Sequence, residues 1–285
     1  MPVNFLSEAE RIRLSQFPST LPESDLIQYF TLTADDRVQI DRQRQMHNRL
    51  GFALQLSSLS YLGFCPDDLQ QVPSEIIEYL ARQLQTQADE LTRYAQRAQT
   101  RTEHLQQIQS YLKFRAPIGP DFKHLATWLL ERAMEHDKPS LLFQLAAEKL
   151  YREKIVRPGV TTLERMVASA RHQAILKTYR LLKPLLTWQR RTFLDKLLEQ
   201  DAAVKNTRLS WLRRPATANS PAAILTALEK IRYLRQQQVY QWDLSCINPN
   251  RLKFLAHLAK KATNQALQRT PVERRYPIHV LHLDI

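Results

Sequence analysis

The chain has 285 residues, with 41 Lys and Arg against 28 Asp and Glu, a net charge of +13. Its four glycines, Gly51, Gly63, Gly119 and Gly159, cannot build a dinucleotide-binding GxGxxG or a phosphate-binding P-loop, and they are too few for a large hairpin-rich sheet. No apolar run reaches the roughly eighteen residues of a membrane span, and two cysteines, Cys65 and Cys246, make neither a disulfide framework nor a zinc site.

Residues 1–150 hold 16 bases and 19 acids, whereas residues 151–285 hold 25 bases and 9 acids, a net of +16. Such asymmetry points to a polyanion, most often nucleic acid. Met1 to Glu10 carries acid and lacks the apolar stretch of a secretory signal. The expectation is therefore a cytoplasmic protein.

Helical spacing dominates the chain. Over 47–62, Leu50, Phe52, Ala53, Leu54, Leu56, Leu59, Tyr61 and Leu62 point in every direction, as in a helix buried all round. Gly51 within it suits a close helix–helix approach. Pro73 opens a helix with Ile76, Leu80 and Leu84 on one face. Thr100 and Glu103 have capping-box spacing ahead of Leu105, Ile108 and Leu112. The segment Arg115 to Pro120 forces a break, and helices near 121–136 and 140–155 follow.

After Pro158-Gly159, Thr161 and Glu164 repeat the capping-box spacing. The helix over 162–182 places Leu163, Met166, Val167, Ala170, Ala174 and Leu181 in one arc, with Arg165, His172 and Lys183 nearly opposite. Residues 213–221 read as an exposed linker ending in a Ser220-Pro221 cap. The helix it starts is expected to bury Ile224, Leu225, Leu228 and Ile231. Asn248-Pro249 repeats the device; Leu252, Leu255, Ala259 and Ala266 face the core there, and His257, Lys260 and Lys261 face away. Tyr276 to Ile285 alternates like a short strand. The fold class is all-α: a multi-helix chain of roughly ten to twelve helices in two helical modules, with no substantial sheet. The expected boundary separates a near-neutral module over 1–157 from a basic one over 158–285.

Few residues suggest catalysis. His279, His282 and Asp284 could be drawn as metal ligands, but in an extended segment the two histidines point to opposite faces. Cys65 reads as a small half-buried thiol. Trp188 and Trp211, beside Arg190, Arg191, Arg213 and Arg214, could stack single-stranded bases, with core packing the favoured expectation. Arg93, Arg97 and Arg101 recur every four residues, with Glu90 and Glu103 near enough to neutralise them. No metal, cofactor or small-molecule substrate is expected.

Several strings carry a resemblance. They are Met1-Pro-Val-Asn-Phe-Leu-Ser-Glu8, His47-Asn-Arg-Leu-Gly-Phe-Ala-Leu-Gln55, Val72-Pro73, Tyr79 to Leu84 and Arg93 to Arg97. Thr102 to Leu105, Thr162 to Arg165, Ser210 to Arg213 and Asn248 to Leu252 continue the series. In order and spacing the chain resembles the N-terminal region of Tn3-family replicative transposases, from its first residue to about Tyr276. Pro277 to Ile285 departs from the family pattern. The resemblance implies a helical region that binds transposon terminal inverted repeats. It also implies a separate C-terminal catalytic domain, RNase H-like, with three acidic residues and divalent metal, which this chain lacks. The expected activity is thus sequence-specific binding of double-stranded DNA without catalysis, with other transposase chains as further partners. The competing expectation is an inert truncated remnant, or a helical interaction module that modulates intact transposase.

The candidate DNA-binding residues are bases on faces opposite apolar arcs: Arg165, His172 and Lys183, then His257, Lys260 and Lys261. Arg42, Arg44, His47, Asn48 and Arg49 join them by clustering within and before the most specific string. Arg213 and Arg214 join them beside Trp211.

Overall fold

The computed structural model describes residues 5–18, 20–94, 98–204, 206–215 and 220–282. Among them it contains fifteen α-helices and one two-stranded pair. In chain order these begin with α1 (Glu8–Ser15), α2 (Glu23–Phe30), α3 (Ala34–Asp41), α4 (Met46–Leu62) and α5 (Ser74–Gln83). Then come α6 (Ala98–Leu112), α7 (Gly119–Glu135), α8 (Pro139–Arg152), α9 (Val160–Leu182) and α10 (Trp188–Lys196). The pair β1 (Gln200–Asp201) and β2 (Asn206–Thr207) follows. The chain closes with α11 (Arg208–Arg213), α12 (Pro221–Gln236), α13 (Pro249–Lys261), α14 (Asn264–Arg269) and α15 (Val272–His282). The all-α reading holds; β1 and β2 are two residues each, antiparallel. The helix count is higher than expected because α1, α2, α3, α11 and α14 are only six to eight residues long. One or two turns leave too few apolar positions for a periodic signal.

The chain divides into two compact units: Met1–Ala126 with Pro139–Val167, and Thr127–Lys138 with Ala168–Ile285. In the first unit α4 is the central element. Leu50, Phe52, Leu54, Leu56 and Leu59 are all at most 3% exposed, which accounts for the all-round apolar pattern. Their burial contributes on the order of 10 kcal/mol, as an upper bound. Gly63 ends the helix in the left-handed conformation at φ 74°. Gly51 has a second role. A Cβ there would lie 2.2 Å from the Tyr94 ring, so only glycine admits that ring. The Tyr94 hydroxyl accepts from Gln55 Nε2 and lies 2.9 Å from His104 Nδ1. Three strings of the resemblance therefore meet in one buried polar chain.

In the second unit, α15 packs on α13 and α10 around Leu194, Leu197, Leu209, Leu255 and Val280. Asp137, nearly buried, holds Arg171 at 3.2 Å and the fully buried Arg251 at 3.3 Å. Burial pulls the Arg251 guanidinium down from its ordinary value, and Asp137 opposes that shift. Asp195 accepts from both Arg275 and the Tyr276 hydroxyl at 2.9 Å.

Several local expectations are corrected. Residues 276–282 belong to helix α15, not to a strand. Tyr276, His279 and Val280 are buried, the spacing of one helical face, and over so short a stretch that spacing cannot be told from alternation. Thr100 lies inside α6, and Glu103 accepts from Gln99 instead. Thr161 lies inside α9, which starts at Val160. Its partner Glu164 instead accepts the Phe5 and Leu6 N–H groups at 2.9 and 3.1 Å and pairs with Arg11. Ala266 is exposed on α14. The Ser220-Pro221 and Asn248-Pro249 caps form as expected. The apolar face of α12 does not: Ile224 and Leu225 are each 62% exposed, and Leu228 and Ile231 are also exposed. Periodicity shows that a helix has an apolar face, not that anything covers it.

Candidate nucleic-acid interface

The units differ in charge. The first holds 18 Lys and Arg against 18 Asp and Glu; the second holds 23 against 10. The whole excess of +13 therefore lies in the second unit. Four of its acids are committed to arginines: Asp137 to Arg171 and Arg251, Glu135 to Arg132, Asp195 to Arg275, and Asp201 to Arg208. The solvent-facing cations are left in excess.

Helix α13 builds the clearest basic face. Asn248 caps it through Asn250 N–H at 2.9 Å, and Pro249 occupies its first turn. Arg251, Leu255 and Ala259, four residues apart, are buried. Lys253, His257, Lys260 and Lys261 lie on the other side and are exposed. No ion pair among the described residues involves Lys253, Lys260 or Lys261. Lys253 was absent from the sequence candidates, although its spacing of four from His257 could have placed it.

Arg213 supports this helix from within. Its guanidinium donates to the Ala259 and Ala262 carbonyls at 2.6 and 2.7 Å, closing the α13 C-terminus. Burial lowers its pKa from the ordinary value. Arg214, next in the chain, is exposed. Trp211 packs edge-on against Tyr233 at 5.9 Å, with Arg208 and Lys230 over its ring. Trp188, expected in the core, is 79% exposed at the start of α10, where the side chain of this first helical residue projects away from the packed face.

The remaining candidates are scattered. His172 and Lys183 are exposed in the second unit, and Arg165 is exposed in the first. Arg42 and Arg44 are exposed; Arg42 donates to Gln39 at 2.8 Å. His47 Nδ1 stands 3.9 Å from Glu90, and Asn48 is half-buried. Arg49 is tied to the α3–α4 connection: it donates to the Gln43 and Asp41 carbonyls at 2.8 and 3.2 Å and pairs with Asp41. Arg93 pairs with Glu90, and Arg101 donates to the Pro66 and Asp67 carbonyls. Arg97, Asp284 and the His282 side chain lie outside the described residues. Cys65 is half-buried, and burial pushes its thiol up to about 12, far from a reactive thiolate.

No helix of the described residues is long and apolar enough to cross a membrane. None of the described histidines, cysteines and acids form a cluster of three able to hold a metal ion.

Comparison with known proteins places this arrangement in a family. Residues 5–170 match a domain of unknown function, DUF4158. The chain is 33% identical over 272 residues to the transposase for transposon Tn501 of Pseudomonas aeruginosa. That match covers 95% of this chain and 27% of the relative. It is 29% identical to the transposase for transposon Tn1546 of Enterococcus faecium, over 92% of this chain and 27% of that protein. It is 30% identical to the transposase for transposon gamma-delta of Escherichia coli, over 98% of this chain and 28% of that protein. The chain thus spans little more than a quarter of the length of these relatives. It belongs to the DUF4158 family, and its relatives are transposases of the Tn3 family.

Proposed function

We propose that this chain binds double-stranded DNA at transposon terminal inverted repeats, sequence-specifically, as a part of DNA transposition, and performs no catalysis by itself. The observation that carries this reading is the confinement of all excess positive charge to the second unit, with Lys253, His257, Lys260 and Lys261 displayed along α13. Such cations neutralise phosphates and fix register, while groups reaching base edges select sequence. The kinship with transposases supplies the class of DNA. In functional terms the near-neutral 1–157 and the basic 158–285 divide the labour, the latter holding DNA. The protein acts where the DNA is, in the cytoplasm.

Footprinting on a transposon end tests this. The reading expects a protected block confined to the terminal inverted repeat. Uniform protection, or none, contradicts it. One observation favours a second reading. The bare apolar face of α12 fits a helical interaction module that contacts other transposase chains.

A further inference from the structure

An open cleft of about 350 Å³ lies in the second unit, between the start of α10 and the end of α12. That volume falls within the range of small-molecule sites. Its floor is aromatic: Phe193 and Trp242 meet edge-on at 6.4 Å, and the Arg190 guanidinium lies 5.2 Å from the centre of the Trp242 ring. Its walls carry the amides of Gln189, Gln236, Gln237 and Gln238. The lining has one cation, Arg190, and no acid.

Two features ask for a ligand. Trp242 is only 7% exposed, yet its indole N–H finds no acceptor among the described residues. A buried donor left without a partner is costly, so an acceptor that a bound ligand brought against it would be favoured. The four glutamine amides are likewise uncommitted, since no side-chain hydrogen bond among the described residues involves them. Each offers a donor and an acceptor side by side.

A flat heterocycle with donors and acceptors around its edge matches this set. Glutamine reads a base edge bidentately, and aromatic rings and guanidinium planes take a base face. A carboxylate or phosphate ligand would take the arginine and the amide N–H donors but, having no donor of its own, would leave all four amide oxygens unused. Trp188, between Thr187 and Gln189 in the sequence, is 79% exposed but does not line the cleft, so stacking there falls to Trp242, Phe193 and Arg190. The geometry points to a site for an unpaired nucleobase, either extrahelical or at a single-stranded end. The inference rests on the DNA-binding reading for the source of the base, but the cleft can be tested alone.

The test titrates the purified chain with three probes: a paired duplex, the same duplex carrying one extra unpaired adenine, and a short oligodeoxyadenylate. Tryptophan fluorescence and anisotropy are the readouts. The expected result is quenching by the single strand and roughly tenfold tighter binding of the bulged duplex than of the paired one. Gln189→Ala/Gln236→Ala, both at exposed helix positions, should remove that preference and leave the paired duplex unaffected. Trp242→Phe should weaken the single strand similarly. Equal binding of bulged and paired duplex refutes the cleft and leaves the DNA-binding reading standing. Failure of the single strand and the bulged duplex to bind refutes the cleft whatever the paired duplex does. Failure of the paired duplex alone, with the single strand bound, supports the cleft and sinks the reading of double-stranded recognition.

Discussion

Replacing Gly51 by Ala sets two principles against each other. Helix propensity favours Ala over Gly in a helix interior by about 1 kcal/mol. Packing opposes it, because the new Cβ would lie 2.2 Å from the Cγ and Cδ2 atoms of Tyr94. The ring must retreat by about 1 Å to reach ordinary contact. Tyr94 is nearly buried, and overpacking of this kind costs about 1–3 kcal/mol. Retreat also stretches the hydroxyl's bonds to Gln55 and His104, both buried. Leaving either group unsatisfied costs about 1–3 kcal/mol more. The net expectation for Gly51→Ala is a loss of about 3 kcal/mol, read from the urea midpoint of the helical circular dichroism signal. In a Tyr94→Leu background, which vacates the ring, the same change should cost markedly less. A Gly51→Ala variant as stable as the parent, or more so, would refute the reasoning, since propensity alone would then decide the sign.

Other predictions concern both units. Asp137→Ala strips the shared partner from Arg171 and buried Arg251, so it should cost about 3–5 kcal/mol in urea unfolding; a cost below about 1 kcal/mol would show that the pair is not buried as described. Burial lowers the His104 imidazole from its ordinary 6.5, so the unfolded chain takes up this proton first. Stability from the neutral ring is complete above about pH 6.5 and is lost as pH falls below it toward the folded value. A His104→Gln variant should flatten that part of the stability-versus-pH curve, and an unchanged slope would contradict it. Ile224→Ser with Leu228→Ser should change stability by no more than about 0.5 kcal/mol per site, against the roughly 2–5 kcal/mol of a core position. Lys260→Ala with Lys261→Ala should weaken DNA binding for all sequences and flatten the salt dependence by about 0.9 per lost phosphate contact; an unchanged slope removes both residues from the interface.

The central helix was legible because it is apolar on every side, a pattern that only full burial explains. Its glycine could be read as a close approach, but Tyr94, more than forty positions away in the chain, could not be named. The second capping box failed for a related reason. Spacing showed that Glu164 could reach Thr161, but not that Phe5, Leu6 and Arg11 would claim its carboxylate. The charge asymmetry was plain, and the folded units redraw it: with residues 127–138 in the second unit and 151–167 in the first, the first becomes neutral and the second carries the whole excess of +13. Among the candidate residues, clustering along the chain misled at Arg213, chosen beside Trp211. Its guanidinium points to the α13 carbonyls instead. Helical spacing served better, since His257, Lys260 and Lys261 do share the exposed side of α13, with Lys253 added. The cleft between α10 and α12 had no signature, because its glutamines come from two segments nearly fifty residues apart.

The most direct test of the account is the affinity ratio of the purified chain for its transposon's terminal inverted repeat over a scrambled duplex, at physiological salt. The account predicts a ratio of about a thousand or more, preserved across a salt series while both affinities fall. Equal affinities with the same steep salt dependence would contradict it, leaving a generic basic surface.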